Sequence, residues 1–191
     1  VTLAEVRAEL GDCARCPLHQ TRQNLVFGVG PHDARIMVVG EAPGADEDAA
    51  GEPFVGQAGK IFNRLLHHAG LSREDLYITN ILKCRPPGNA DPEPIQMTAC
   101  VPFLHKQVAA LAPKVIVTLG KFAGCRMSLV FTTMGELVKL EDPRYQHGDL
   151  DIPVIPLYHP SYLQRQGRSS HGKEIAKDSV ERLRRAAALA A

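Results

Sequence analysis

Three short apolar runs restrict the fold of this chain more than any other feature. They are residues 34–40 (ARIMVVG), 76–82 (LYITNIL) and 115–119 (VIVTL), each closed by glycine or a polar cluster. Runs this short, rich in β-branched residues and bounded by turn formers, suit strands buried on both faces. A fourth run, 152–157, carries Pro153 and Pro156, which predict an edge strand or a bulge. Helical stripes lie between the runs. Ile61, Leu65 and Leu66 share one face of 59–69, with Gly70 as the stop, and Ala176, Val180, Leu183 and Ala187 mark a helical tail from about residue 173. Thr2 and Glu5 form a capping box over a Leu3, Val6, Leu10 stripe. Asp91-Pro92 reads as an N-cap with proline at the first helical position, opening a helix expected to kink near Pro102. Strands alternating with helices predict a three-layer α/β/α domain spanning 1–191, with a central, four-stranded, mainly parallel sheet. Pattern decides little between 132 and 151.

Open α/β sheets bind ligands at the carboxyl ends of their strands. Polar residues collect just there: Glu41, the segment from Asn80 to Arg85, and His159. After the first run comes GEAPGADEDAAGEPFVG, with Glu41, Asp46, Glu47, Asp48 and Glu52 on a glycine-punctuated loop. A phosphate cradle is a poor fit, since the motif is not a phosphate-loop pattern and its acids repel phosphate.

The formal net charge is +1, so any nucleic-acid contact needs a local basic patch rather than a basic total. Arg165, Arg168 and Lys173 crowd the C-terminal third, and Lys83 and Arg85 flank a cysteine. No apolar run is long enough to span a bilayer, and the first residues, with Glu5 and Arg7, lack a signal-peptide core. A soluble cytoplasmic monomer is expected. Five cysteines make an odd number for a disulfide framework. Cys13 and Cys16 lie on one tight turn, and Cys84 and Cys100 complete a possible four-sulfur set, while Cys125 reads as a core residue. Four thiolates suit structural zinc or an iron–sulfur cluster, and spacing alone does not choose between them.

Taken in order, Cys13-x-x-Cys16, GEAPG at 40–44, PFVG at 53–56, TNILKCRPPGN at 79–89 and HPSYL at 159–163 resemble the family 4 uracil-DNA glycosylases. The resemblance covers about residues 13 to 163. It implies a uracil-DNA glycosylase domain that hydrolyses the N-glycosidic bond of uracil in single- or double-stranded DNA and leaves an abasic site. It also implies a [4Fe–4S] cluster on Cys13, Cys16, Cys84 and Cys100. Glu41 and Ala42 match the loop lining the uracil pocket, Phe54 the ring that stacks on the base, Asn80 the amide that reads it, and His159 the histidine facing O2. Leu163 lies where related glycosylases insert a wedge into the space left by the flipped base, with Arg165 and Arg168 placed to hold phosphates. Other glycosylase families carry an acid directly after the residue matching Glu41, where this chain has Ala42; Glu47 is the expected water-positioning residue here. A sister group traps DNA through a histidine in an arginine-rich insertion, and CRPPGNADPEP has neither, so turnover is expected. The competing expectation is a DNA-binding protein with a structural metal and no catalysis.

Overall fold

The computed structural model describes residues 1–130 and 132–191. The first half of the chain forms α1 (Leu3–Leu10), β1 (Ile36–Gly40), α2 (Ala45–Ala50), α3 (Gln57–Ala69) and β2 (Leu76–Asn80). The second half forms α4 (Pro94–Leu111), β3 (Val115–Leu119), α5 (Lys121–Ser128), α6 (Met134–Leu137), β4 (Arg144–His147), β5 (Leu150–Leu157), α7 (Pro160–Gln166) and α8 (Ser170–Ala190). The strands lie in the order β2-β1-β3-β5-β4, the first four parallel and β4 antiparallel to β5. No helix among the described residues is long and apolar enough to cross a membrane.

Alternation along the strands builds two apolar layers. Met37, Val39, Tyr77, Ile116 and Val154 face Val101, Leu104 and Val108 of α4 and Met127 of α5. Ile36, Val38, Ile78, Val117 and Ile155 face Phe62 and Leu66 of α3 and Leu183 and Ala186 of α8. Phe62 is 0% exposed, and truncating such a ring costs about 3–5 kcal/mol.

The fifth strand falls in the stretch that pattern did not resolve. In β4 Tyr145 alone is buried, while Arg144 is half-buried and Gln146 and His147 are exposed, so a single buried side chain gives no readable period. Its addition places β5 inside the sheet, not at the edge that its prolines predicted. Val154 donates its N–H to the Pro143 carbonyl, on the β4 side, while Leu157 turns its carbonyl to Gly120, on the β3 side. Pro156 therefore points the same way as Val154, beyond the last β4 pairing at Pro153, where no ladder N–H is lost. The N-terminal capping box forms as read. The cap of α4 is Glu93 with Pro94 following, not Asp91 with Pro92, because Gln96 reaches back to accept from the Glu93 N–H at 3.0 Å. α4 runs on through Pro102 as one helix.

In-register parallel pairing brings Gly40 beside Asn80 and Leu119 beside Leu157. The segments that follow these four residues open along one edge of the sheet.

Candidate active site and cysteine centre

A cavity of about 410 Å³ opens at that edge, lined by Glu41, Ala42, Gly44, Glu47, Phe54, Asn80, Asn89, Asp91, His159 and Arg165 among others. Asn80 ends β2 and is 1% exposed, and its Oδ1 has no hydrogen-bond partner among the described residues. A buried acceptor left unpaired costs about 1–3 kcal/mol, a cost that a ligand's N–H would offset. Its neighbour across the strands must be glycine. A Cβ on Gly40 would lie 2.3 Å from Asn80 Oδ1 and 2.5 Å from Phe54 Cζ.

Phe54 has a φ of 53°, the left-handed region, which costs a non-glycine residue about 1–3 kcal/mol and persists only where surroundings enforce it. Arg73 supplies the enforcement by donating to the carbonyls of Pro53 and Phe54. Gly59 makes room, since a Cβ there would sit 1.8 Å from the Phe54 carbonyl oxygen. The ring is thereby held 6.0 Å from the His159 ring, centroid to centroid.

His159 caps α7, and Ser161 donates its backbone N–H to His159 Nδ1 at 3.2 Å. The Ser161 hydroxyl lies 2.8 Å from the same nitrogen, and Arg165 donates to that hydroxyl oxygen at 3.4 Å. Nδ1 is therefore the acceptor nitrogen, which puts the ring proton on Nε2. Burial, aided by the charge of Arg165, lowers the imidazole to about 4. At neutral pH the ring is an uncharged N–H donor.

The acidic loop is more ordered than its composition suggests. Asp46, Glu47 and Asp48 sit on α2, and Glu47 and Asp48 are buried rather than solvated. Glu47 Oε1 accepts the N–H of Val55 at 2.9 Å and of Gly56 at 2.8 Å, and Oε2 accepts the N–H of Gly44 at 3.1 Å. Its carboxylate laces both ends of the loop together while lining the cavity. Asp48 accepts from the N–H groups of Gln23 and Asn24. Burial, with the like charge of Asp91, raises Glu41 to about 7.

Behind this wall lie Cys13, Cys16, Cys84 and Cys100, all buried and in no disulfide. Burial pushes the Cys84 thiol up to about 11, with the charges of Cys100 and Cys16 adding to it, and raises Cys100, with those of Cys16 and Cys13 adding. Arg15 donates to the Cys13 sulfur at 3.4 Å and Arg22 to the Cys84 sulfur at 3.3 Å. The Lys83 side chain is 1% exposed, and no carboxylate pairs with it among the described residues. Guanidinium donors on two of the four sulfurs fit a net-negative thiolate-bound group, whose charge would favour the protonated form of Lys83 that burial otherwise lowers to about 7.

The family model for the uracil DNA glycosylase superfamily matches residues 27–184. The chain belongs to that superfamily. It is 46% identical over 164 residues to a type-4 uracil-DNA glycosylase of Archaeoglobus fulgidus, covering 84% of this chain and 82% of the relative. It is 44% identical over 172 residues to the type-4 enzyme of Thermotoga maritima, covering 89% and 86%. A type-5 uracil-DNA glycosylase of Pyrobaculum aerophilum is 28% identical over 214 aligned positions.

Within this superfamily member, Glu41, Ala42, Glu47, Phe54, Asn80 and His159 meet at one cavity, and Arg165 stands at its rim. Arg168 is exposed nearby on the turn after α7. Leu163 does not face the opening. It is 8% exposed and packs on Ile61 and Ile175, which gives the apolar side chain a core instead of a duplex. Lys83, grouped by sequence with the basic surface around Arg85, is enclosed and cannot touch DNA. Sequence reasoning passed over Asn89, Asp91, Ser161 and Arg73. Asn89 has a φ of 55° and accepts from Arg85 Nε at 2.8 Å, a turn chemistry that the PPGN tetrapeptide signals. Arg73 carries no local signal, because its acceptors are backbone carbonyls 19 and 20 residues away.

Proposed function

We propose that this chain is a type-4 uracil-DNA glycosylase that takes uracil out of the DNA stack and hydrolyses its N-glycosidic bond, and that the cavity at the sheet edge is where this happens. The observation that carries the reading is the buried, unpartnered Oδ1 of Asn80, a residue that lines one cavity with the Phe54 ring and a neutral His159.

Each group matches one demand of the reaction. Uracil presents an N3–H donor, which the Asn80 carbonyl accepts. Cytosine has a bare N3 acceptor there and is repelled. Phe54 gives the flipped base a flat face, worth about 1–3 kcal/mol for base stacking on an aromatic ring. As the C1′–N1 bond breaks, negative charge grows on the uracil ring and positive charge on the sugar. The Nε2–H of His159 donates to O2 and takes up the first. Loss of one such preorganised donor typically costs about 2.7–4 kcal/mol of transition-state stabilisation. Glu47, held by three backbone N–H groups, supplies fixed negative charge toward the second and orients the attacking water. Glu41 and Ala42 close the pocket, and the base must be extruded before any of these can reach it. Arg165 and Arg168 meet the phosphates beside the opening.

The four cysteines Cys13, Cys16, Cys84 and Cys100 would hold a [4Fe–4S] cluster. Among the described residues no three ligand side chains are gathered to close on a single ion. A cubane asks for something different, one cysteine per iron around a larger body. When bound, it supplies a rigid, net-negative cross-link between the N-terminal segment and α4.

The test is excision from a uracil-containing oligonucleotide by wild type, Asn80→Ala and His159→Ala, with DNA binding measured alongside. Wild type should cleave, and both variants should lose cleavage while keeping binding. Binding without excision by the wild-type chain would mean a structural-metal DNA binder and would overturn the reading.

A further inference from the structure

Lys83 stands between the cysteine centre and the pocket. Its ammonium donates to the Thr79 hydroxyl at 2.7 Å and to the Asn80 carbonyl at 2.6 Å. The second contact fills a gap in the sheet. Ile81 turns its N–H inward to Gly40, so Asn80, one residue earlier, turns its own backbone groups outward from β1. On that outer side β2 has a single bridge, Val29 to Ile78, which stops short of Asn80. The carbonyl of the base-reading residue thus has Lys83 where a sixth strand would otherwise pair.

The network continues behind it. Thr79 donates its hydroxyl to the Phe27 carbonyl at 2.7 Å, and Gln107 of α4 donates to the same carbonyl at 2.9 Å. α4 also carries Cys100, and Lys83 is the residue directly before Cys84. Lys83 is therefore joined to the sulfur site through its main chain and to Asn80 through its side chain.

We propose that Lys83 is a positioning residue that couples the filled four-cysteine site to the orientation of the Asn80 amide. This rests on the readings of Asn80 as the base reader and of the four cysteines as cluster ligands. A cluster anchored at Cys84 and Cys100 fixes the Lys83 backbone. The enclosed ammonium then holds the tip of β2, and Oδ1 is presented at one angle to the incoming N3–H. A pocket that discriminates by a single acceptor needs that angle kept.

The experiment uses the cluster-loaded protein and Lys83→Met, which keeps the unbranched stem and removes the donors. Absorbance near 400 nm reports loading, a reductive titration reports the cluster midpoint potential, and steady-state excision gives kcat and KM. Lys83→Met should load normally, and kcat should fall about 10- to 100-fold for two lost hydrogen bonds from a charged donor. KM should stay within about threefold, since the lost interaction acts mainly in the transition state. The midpoint potential should shift from the wild-type value, because the buried donor beside Cys84 is gone. Wild-type kcat in a loaded Lys83→Met protein overturns the proposal, as does a fallen kcat with an unmoved potential. Should Lys83→Met fail to fold, Thr79→Val decides. It removes one of the two ammonium acceptors, so a lower kcat at full loading upholds the coupling and an unchanged kcat overturns it. Colourless wild-type protein, or full activity in Asn80→Ala, would instead strike the readings beneath it.

Discussion

Glu47 makes the sharpest quantitative prediction, because it has two jobs that one substitution separates. Its carboxylate accepts three backbone N–H groups, with the bond to Gly56 buried and those to Val55 and Gly44 partly buried. Glu47→Ala leaves all three donors without the carboxylate. A hydrogen bond to a charged group contributes about 1.5–3 kcal/mol, and a buried donor left unpaired loses the upper end of that range. Water entering from the cavity can replace the two outer bonds in part, so the sum falls to about 3–5 kcal/mol rather than three full bonds. For a chain of this size each kcal/mol moves Tm by about 2–4 °C, giving a drop of about 6–20 °C. Glu47→Gln keeps a carbonyl oxygen for Val55 and Gly56 but turns an NH2 toward the Gly44 N–H, so it should lose about half as much. Urea unfolding of the three proteins measures stability, and single-turnover excision at a temperature where all are folded measures chemistry. The expected pattern is graded stability, wild type above Gln above Ala, with excision severely reduced in both variants. Wild-type stability in Glu47→Ala would refute the loop-lacing argument. Full excision in folded Glu47→Gln would remove the charge from the mechanism.

Gly40→Ala should fold but excise uracil at least about tenfold more slowly, since its methyl must displace Asn80 Oδ1 or the Phe54 ring; unchanged kcat/KM would show that the wall yields freely. The pH dependence of stability should split between two groups. Glu41 is raised from 4.5 to about 7, so its contribution is full below pH 4.5 and is lost as pH rises through 7. His159 is lowered from 6.5 to about 4, so its contribution is full above pH 6.5 and is lost as pH falls through 4. The two oppose each other between pH 4.5 and 6.5. Urea midpoints in that window should therefore rise with pH in Glu41→Gln and fall with pH in His159→Gln, and parallel profiles would contradict the assignment. Leu163→Ala should cost about 2–4 kcal/mol of stability as a core truncation while retaining excision. Lost excision at wild-type stability would restore the wedge role.

How far the sequence reached depended on whether a residue's task was local. Residues 34–40, 76–82 and 115–119 announced buried parallel strands, because a strand covered on both faces is apolar throughout. The Asn80 and His159 positions followed from polar residues at strand ends, where topology alone makes distant segments converge, whereas Phe54, between α2 and α3, came only with the family resemblance. β4 escaped because one inward tyrosine carries no alternation. Lys83 was misplaced because a lysine beside an arginine reads as surface, and nothing local reveals that its ammonium closes a sheet edge against Thr79 and Asn80. Glu47 was chosen as a water-holding acid, yet two of its three backbone partners lie eight and nine residues downstream, beyond the capping pattern that accounts for Gly44. Leu163 illustrates the reverse case, in which a position suited to insertion has been given to the packing of α7.

The pinned tautomer of His159 has a consequence for how DNA would be held at the cavity. An imidazolium at the bottom of the cavity would draw in any passing phosphate and hold it by charge alone. On the proposed reading, an electrically silent ring adds no charge of its own to the phosphate contacts of Arg165 and Arg168, so a base is kept in the cavity only where its edge makes a hydrogen-bonding match. Selectivity then traces to a serine that keeps one nitrogen occupied and the donor beyond it uncharged.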